Sequence, residues 1–431
     1  MKSASVRWIV GIVVALMLLA GGVGVWAWMK ITGLREALVD DLGTEIGAKV
    51  EVSSFDVDVW HGEIHAAGIR LENTRPDAPW EKGSISQATA RFHLQDIFAS
   101  KMPLSIDVSS WTLLLRPSQA ALASETMPSG TRGWMQVTEL TAHEGEVTVQ
   151  LSGERQILVH GVAFQASDNG AEMWTTELQA SSVEAGALMA DTISVEIRGE
   201  QDKVTFSNLR MQCAQGFITG NGEMELNGGH DAKVTLKATD VPVTMLVAVP
   251  WQVQLTGLAD GDLNYTGDDN SGAATGQIVV SQGKFNVLPW LGKVTALVSL
   301  PDITGVEVDK ATSDFSWKDG TLHLTNIDVR KNDVTRIGGD VEIDSGGQVD
   351  GHLKLGLPST VTARWPDLQT KIFSEQHDDF NWADVHLTGT PDHLQEDLTA
   401  RLVALGAQEG SGLINQATQK TMDLLKGFLS N

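Results

Sequence analysis

Apolar residues fall on alternate positions in short runs through most of this chain. Val57 and Val59, Ile69 and Leu71, Ile106 and Val108, Val147, Val149 and Leu151, Ile193, Val195 and Ile197, Val204 and Phe206, and Val234 and Leu236 are each separated by polar or small residues. A period of two marks half-buried strands. The pattern is densest from Leu255 to Leu357, where Leu322 and Leu324, Val341 and Ile343, and Leu353 and Leu355 continue it. Glu144-Gly145, Asn227-Gly228-Gly229, Asp319-Gly320 and Ser345-Gly346-Gly347 separate the runs and supply the positive φ that tight hairpins need. Helix-sized crossover segments are scarce, so the expected topology is a series of consecutive antiparallel hairpins.

Other periods occur at the two ends and in two interruptions. From Trp8 to Met29 no residue is charged, and a helix of roughly 22 residues at ~1.5 Å each spans about 33 Å, enough for a ~30 Å hydrocarbon core. This predicts one membrane anchor over residues 1–29, with Trp8, Trp26 and Trp28 at its interfaces. Lys2 and Arg7 precede it, whereas Lys30 and Arg35 are followed by Asp40 and Asp41, so charge bias favours a cytoplasmic N-terminus and an exported body. Ile31, Leu34, Leu38, Leu42 and Ile46 predict an amphipathic helix over 31–47. Pro117 to Gly133 reads as a loop and Pro358 to Asp384 as a partly helical excursion. Leu413, Ala417, Leu424, Leu425 and Phe428 predict a C-terminal amphipathic helix within 401–431.

Charge and chemistry narrow the function classes. With 31 Lys+Arg against 55 Asp+Glu the formal net charge is −24, and without a basic run nucleic acid is not an expected partner. Cys213 is the single cysteine, so neither an intrachain disulfide nor a cysteine-rich zinc site can form. No HExxH, GxSxG or GxxxxGK[ST] motif is present. His61 and His65, four apart on a strand, lie about 13 Å from each other and cannot chelate one ion there. His377, Asp378 and Asp379 read as a hydrated acidic loop. No catalytic residue, cofactor site or metal ligand set is therefore expected, and the chain reads as a non-enzyme. Among 13 tryptophans, Trp290 within Leu288-Pro289-Trp290-Leu291 is a candidate acyl-chain or membrane contact, with packing under a turn as the alternative.

About twenty strands that each turn two or three apolar side chains to one face would forfeit roughly 1.5–3 kcal/mol per large side chain if that face stayed wet. A second sheet, closure into a barrel, or bound lipid in an open groove would cover it. Periodicity does not choose among them.

Resemblance does. Thr256-Gly257-Leu258-Ala259-Asp260-Gly261-Asp262-Leu263, Gln282-Gly283-Lys284-Phe285-Asn286 as a short strand turn, Phe315 to Leu322 as a hairpin, Arg336 to Ile343 as a strand pair, and Leu387-Thr388-Gly389-Thr390-Pro391-Asp392-His393-Leu394 stand in that order. Together they resemble the C-terminal region of AsmA-like proteins. Nearer the start, Leu42-Gly43 through Val50-Glu51-Val52, and Gly62 through Asn73, resemble the opening of that family. The resemblance implies a mainly β protein: one N-terminal transmembrane helix, then an elongated, curled antiparallel sheet forming a repeating β-groove, with amphipathic helices at both ends of the body. The parts would be the anchor over 1–29, the N-terminal groove over 30–254, an AsmA-like C-terminal β region over 255–400, and the terminal helix over 401–431. It also implies a place in the inner membrane with a periplasmic body, phospholipid or another acyl-chain lipid as ligand, and a role in phospholipid transfer or outer-membrane and envelope biogenesis. A scaffold or assembly factor that binds envelope proteins without carrying lipid is the alternative. The expected lipid-facing residues are Val147, Val149, Ile193, Val195, Ile197, Val204, Phe206, Leu322, Leu324, Val341, Ile343, Leu353 and Leu355. Twenty strands at ~4.8 Å cover only about 100 Å, so one chain is expected to be too short to bridge a periplasm alone.

Overall fold

In a computed structural model of the chain, the residues described are 48–408 apart from 59, 75–79, 94, 97–101, 117–134, 152–155, 169–172, 201–202, 226–230, 248–251, 253–254, 269–270, 286–305, 332–333 and 391–392. The expected anchor with Trp8, Trp26 and Trp28, the helix over 31–47, the loop Pro117 to Gly133, Trp290, and the C-terminal helix beyond residue 408 lie outside them. Among the described residues no helix is long and apolar enough to cross a membrane. The protein is mainly β, and its contacts divide it into two units that meet between Ser181 and Ser182 in the sequence.

The first unit holds β1 (Ala48–Asp58), β2 (Glu63–Asn73), β3 (Trp80–Arg91), β4 (Met102–Leu115), β5 (Met135–Gln150), β6 (Gln156–Asp168) and β7 (Trp174–Ala180). Each pairs with the next, antiparallel except at one step. β4 and β5 run parallel, with Leu113 opposite Val147 and Leu115 opposite Val149, which departs from the all-hairpin expectation. A parallel pair needs a connection of about a dozen residues or more, and the segment joining β4 to β5 is long enough to return the chain to the same end.

The second unit opens with the hairpin β8 (Ser182–Ala185) and β9 (Leu188–Ala190). A meander follows: β10 (Thr192–Gly199), β11 (Lys203–Cys213), β12 (Gly216–Glu225), β13 (Ala232–Pro242), α1 (Val243–Leu246), β14 (Leu255–Gly267), β15 (Gly272–Phe285), β16 (Val306–Lys318), β17 (Thr321–Lys331), β18 (Thr335–Ile343) and β19 (Val349–Pro358). Its C-terminal end adds α2 (Ser359–Thr362), α3 (Pro366–Lys371), β20 (Glu375–His377), β21 (Phe380–Thr390), β22 (His393–Glu396) and α4 (Leu398–Gln408). From β10 to β19 every strand is antiparallel to its neighbour, β21 adds to β19, and β20 and β22 share the far edge of β21. Among the described residues β10 does not pair with β22, so this sheet is not closed into a barrel.

Local chemistry accounts for the turns and for the curl. Asp319 and Gly320, both at positive φ (50° and 87°), make the two-residue link from β16 to β17, the geometry that matches strand twist. Other positive-φ residues lie inside strands. Glu144, Asn208, Asp240, Gln282 and Asn326 each sit where pairing shifts by a residue. Glu144-Gly145 and Gln282-Gly283 are therefore bulges within β5 and β15, not turns, and Arg336 to Ile343 belongs to one strand. In the second unit the bulges recur on β11, β13, β15 and β17, every second strand. Two have their backbone N–H held by an aspartate on the neighbouring strand: Asp240 donates to Asp260 Oδ1 at 3.2 Å and Asn326 to Asp340 Oδ1 at 3.0 Å. A bulge bends its strand and sharpens the twist, so a regular file of them curls the sheet toward one face.

The best-packed core lies at the C-terminal end of the second unit. Leu355, Leu357, Phe373 and Leu398 are at most 2% exposed and join Leu353, Leu368, Ile372, Val385, Leu387 and Leu402 in one cluster. Pro358 ends β19, and α2 and α3 turn back over the sheet. Thr362 donates to Asn381 Oδ1 (3.2 Å), and the Asn381 amide donates to the Phe373 carbonyl (3.3 Å), which satisfies the buried polar groups at this junction. Where the sequence reads a partly helical excursion to Asp384, the chain re-enters the sheet at Glu375, on β20.

Candidate functional site

Strand register turns the one-dimensional alternation into a two-dimensional surface, because directly paired residues share a face. In the second unit one row runs Ile197, Phe206, Gly222, Val234, Tyr265, Ala274, Trp317, Leu322, Ile343 and Val349. The next runs Leu209, Gly220, Leu236, Leu263, Gly276, Phe315, Leu324, Val341 and Gly351. No charged residue interrupts either row. The opposite face is as uniformly polar: Asn221, Thr235, Asn264, Thr275, Ser316, His323, Glu342, Asp350 and Thr388 stand in register.

The apolar face is graded in depth. A third row, Ala259, Val280, Ala311, Val329, Ile337, Leu355 and Ala383, is mostly buried and belongs to the core cluster. The first two rows are mostly half-buried, and Trp317 is 37% exposed. From β10 to β18 they form a strip about 38 Å long, at ~4.8 Å per strand step. Glycines let large rings lie across it. A Cβ on Gly276 would stand 2.8 Å from the Phe315 ring, and one on Gly222 2.4 Å from the Phe206 ring. The strip is thus shaped by alternating large side chains and bare backbone.

The expected lipid-facing residues fall into four groups. Ile197, Phe206, Leu322, Leu324, Val341 and Ile343 lie together on the half-buried rows, and Val204, paired with Met224, lies beside them. Ile193 is buried opposite Met211, and Val195 stands at the register shift on β10, half-buried. Leu353 and Leu355 are 7% and 1% exposed beneath the C-terminal helices, so they pack against protein. Val147 and Val149 belong to the first unit, where they pair with Leu113, Leu115, Val159 and Ile157 on its own apolar face. There the Trp111 ring covers Gly145, at 2.2 Å from where a Cβ would be, and meets Phe164 edge-on at 5.8 Å.

Ion pairs line the polar faces of the sheet. Lys203 Nζ lies 2.6 Å from Glu223 and Lys354 Nζ 2.5 Å from Glu375. Each lysine is held above its ordinary value by its carboxylate, and Glu223 is held below its own by Lys203. These exposed pairs add little stability, but the first ties adjacent β11 and β12 on the wet side, and the second reaches from β19 across β21 to β20. Cys213 is buried, and burial pushes its thiol up, away from the thiolate a nucleophile needs. One grouping escaped the sequence: Asp350, His352 and His386 converge on the polar face, because β19 pairs with β21 across the helical insertion. No family model and no curated protein matches the chain.

Proposed function

We propose that this is a membrane-anchored, periplasmic lipid-binding protein that holds acyl chains along an apolar β-face and serves phospholipid transfer or envelope biogenesis without catalysis. The observation that carries the reading is the in-register apolar strip from Ile197 to Ile343, left half-exposed while the C-terminal end of the same face is capped. Covering what remains wet of each large side chain is worth on the order of 0.5–1 kcal/mol, at ~25 cal/mol per Å2. An acyl chain crossing several strands collects this several times over, and its head group stays in water. The expected anchor and the AsmA-like order of segments are what support a periplasmic body.

The scaffold reading differs at one point, since it makes the strip ordinary core. Purification of the full chain in detergent, followed by mass spectrometry of bound phospholipid, separates the two. The lipid reading expects phospholipid above the level of a control anchored protein, and a sharp loss with Leu324→Glu. Phospholipid at the control level would overturn it.

A further inference from the structure

We propose that Asp350, His352 and His386 form a binding site for one divalent ion of the zinc class on the polar face of the second unit. This site is independent of the lipid reading. His352 on β19 and His386 on β21 are directly paired, and their rings stack with centroids 4.8 Å apart and planes 7° from parallel. Asp350 precedes His352 by two positions on the same strand and therefore shares its face. Its Oδ1 lies 2.8 Å from His386 Nε2 and 3.9 Å from His352 Nε2. One donor atom from each of the three residues lies within 4.8 Å of the others. A tetrahedral ion with ligands at 2.0–2.1 Å needs donor separations of about 3.4 Å, so rotations of the three exposed side chains close the site.

The backbone is already fixed for this. Leu353, Val385 and Leu387, which alternate with the ligands on β19 and β21, are 7%, 2% and 6% exposed in the core cluster on the other face. The His386 N–H is held by Asp397 Oδ1 at 2.8 Å. Ligands carried on core-backed strands lose little freedom on binding. The surrounding charge also suits a cation: Glu342 pairs with Asp350 and Asp340 with His352, and nearby Lys354 is engaged by Glu375 and Asp384. Two imidazoles and one carboxylate match zinc, cobalt or nickel; calcium and magnesium prefer all-oxygen sites. Three protein ligands leave a fourth position for water, and the ion would clamp β19 to β21.

The test uses the full chain, free of any affinity tag and stripped with a chelator, titrated with Zn2+ against a chromogenic competitor. One equivalent should bind, with His352→Gln and His386→Gln each weakening it by at least ~10-fold, as loss of a ligand should exceed loss of a supporting contact, and His65→Gln leaving it unchanged. Because the variants could in principle perturb the sheet, the wild-type protein supplies a second readout: Zn2+ should protect His352 and His386, but not His65, from diethylpyrocarbonate as read by peptide mass spectrometry. No stoichiometric binding at micromolar zinc, or binding that both substitutions leave intact with no selective protection, would overturn the assignment.

Discussion

Replacing Leu324 and Leu355 in turn by alanine asks whether the half-exposed strip is a working surface or a sealed core. Both leucines point to the same apolar face of the second unit, yet their surroundings differ. Leu355 is 1% exposed and packed with Leu357, Phe373 and Leu398 beneath the C-terminal helices. Its truncation leaves an enclosed void, so transfer and cavity terms add, and the expected cost is about 3 kcal/mol within a usual range of 2–5. Leu324 is half-buried between its paired neighbours Phe315 and Val341. Its truncation opens onto solvent, no cavity term arises, and a partial transfer loss of about 1 kcal/mol is expected. Equilibrium denaturation of the lipid-stripped full chain, followed by tryptophan fluorescence, reads both. Equal losses near 3 kcal/mol would show the strip to be as enclosed as the cap and would refute the accessible-surface reasoning. A loss below 1 kcal/mol at Leu355 would instead contradict the cap.

Three further expectations rest on separate parts of the fold. Gly222→Ala should destabilise by about 1–3 kcal/mol, read as a shifted denaturation midpoint, because its Cβ would stand 2.4 Å from the Phe206 ring and 2.7 Å from the Lys233 carbonyl oxygen. Gly320→Ala should cost about 1 kcal/mol, since position 320 holds φ at +87° in the β16–β17 turn; an unchanged midpoint would show that the turn relaxes. At the β1–β2 tip His61 Nδ1 lies 2.6 Å from Asp58 Oδ2, and the carboxylate raises His61 above 6.5 while the imidazole lowers Asp58 below 3.8. The pair's contribution is therefore complete between those two unfolded values, lost as pH rises through the raised His61 value and lost again as pH falls through the lowered Asp58 value. An NMR titration should place His61 above 6.5, with Asp58→Asn returning it toward 6.5.

The parts of this fold legible in sequence are those set by neighbours along the chain. Alternation places Phe206, Leu324 and Ile343 on one face because side chains in a strand have period two, and Asp319-Gly320 marks a hairpin because both residues accept positive φ. Decisions made between distant segments were not legible. Nothing local distinguishes Asn208, Gln282 or Asn326 as mid-strand bulges, since the same residue types serve in turns, and Glu144-Gly145 shows how readily one is taken for the other. Leu353 and Leu355 alternate as cleanly as Leu322 and Leu324, and only the fold-back of the C-terminal helices makes core of them. The parallel pairing of β4 with β5, and the meeting of His352 with His386, follow from strand order, which no spacing encodes.

Site-specific photocrosslinking in intact membranes tests the central claim most directly. A photoreactive residue at Phe206, Leu324 or Ile343, on the apolar rows, should give phospholipid adducts, whereas one at His323 or Glu342, in register on the polar face, should give none. Lipid adducts absent from all three apolar positions, or equally frequent on both faces, would contradict the account.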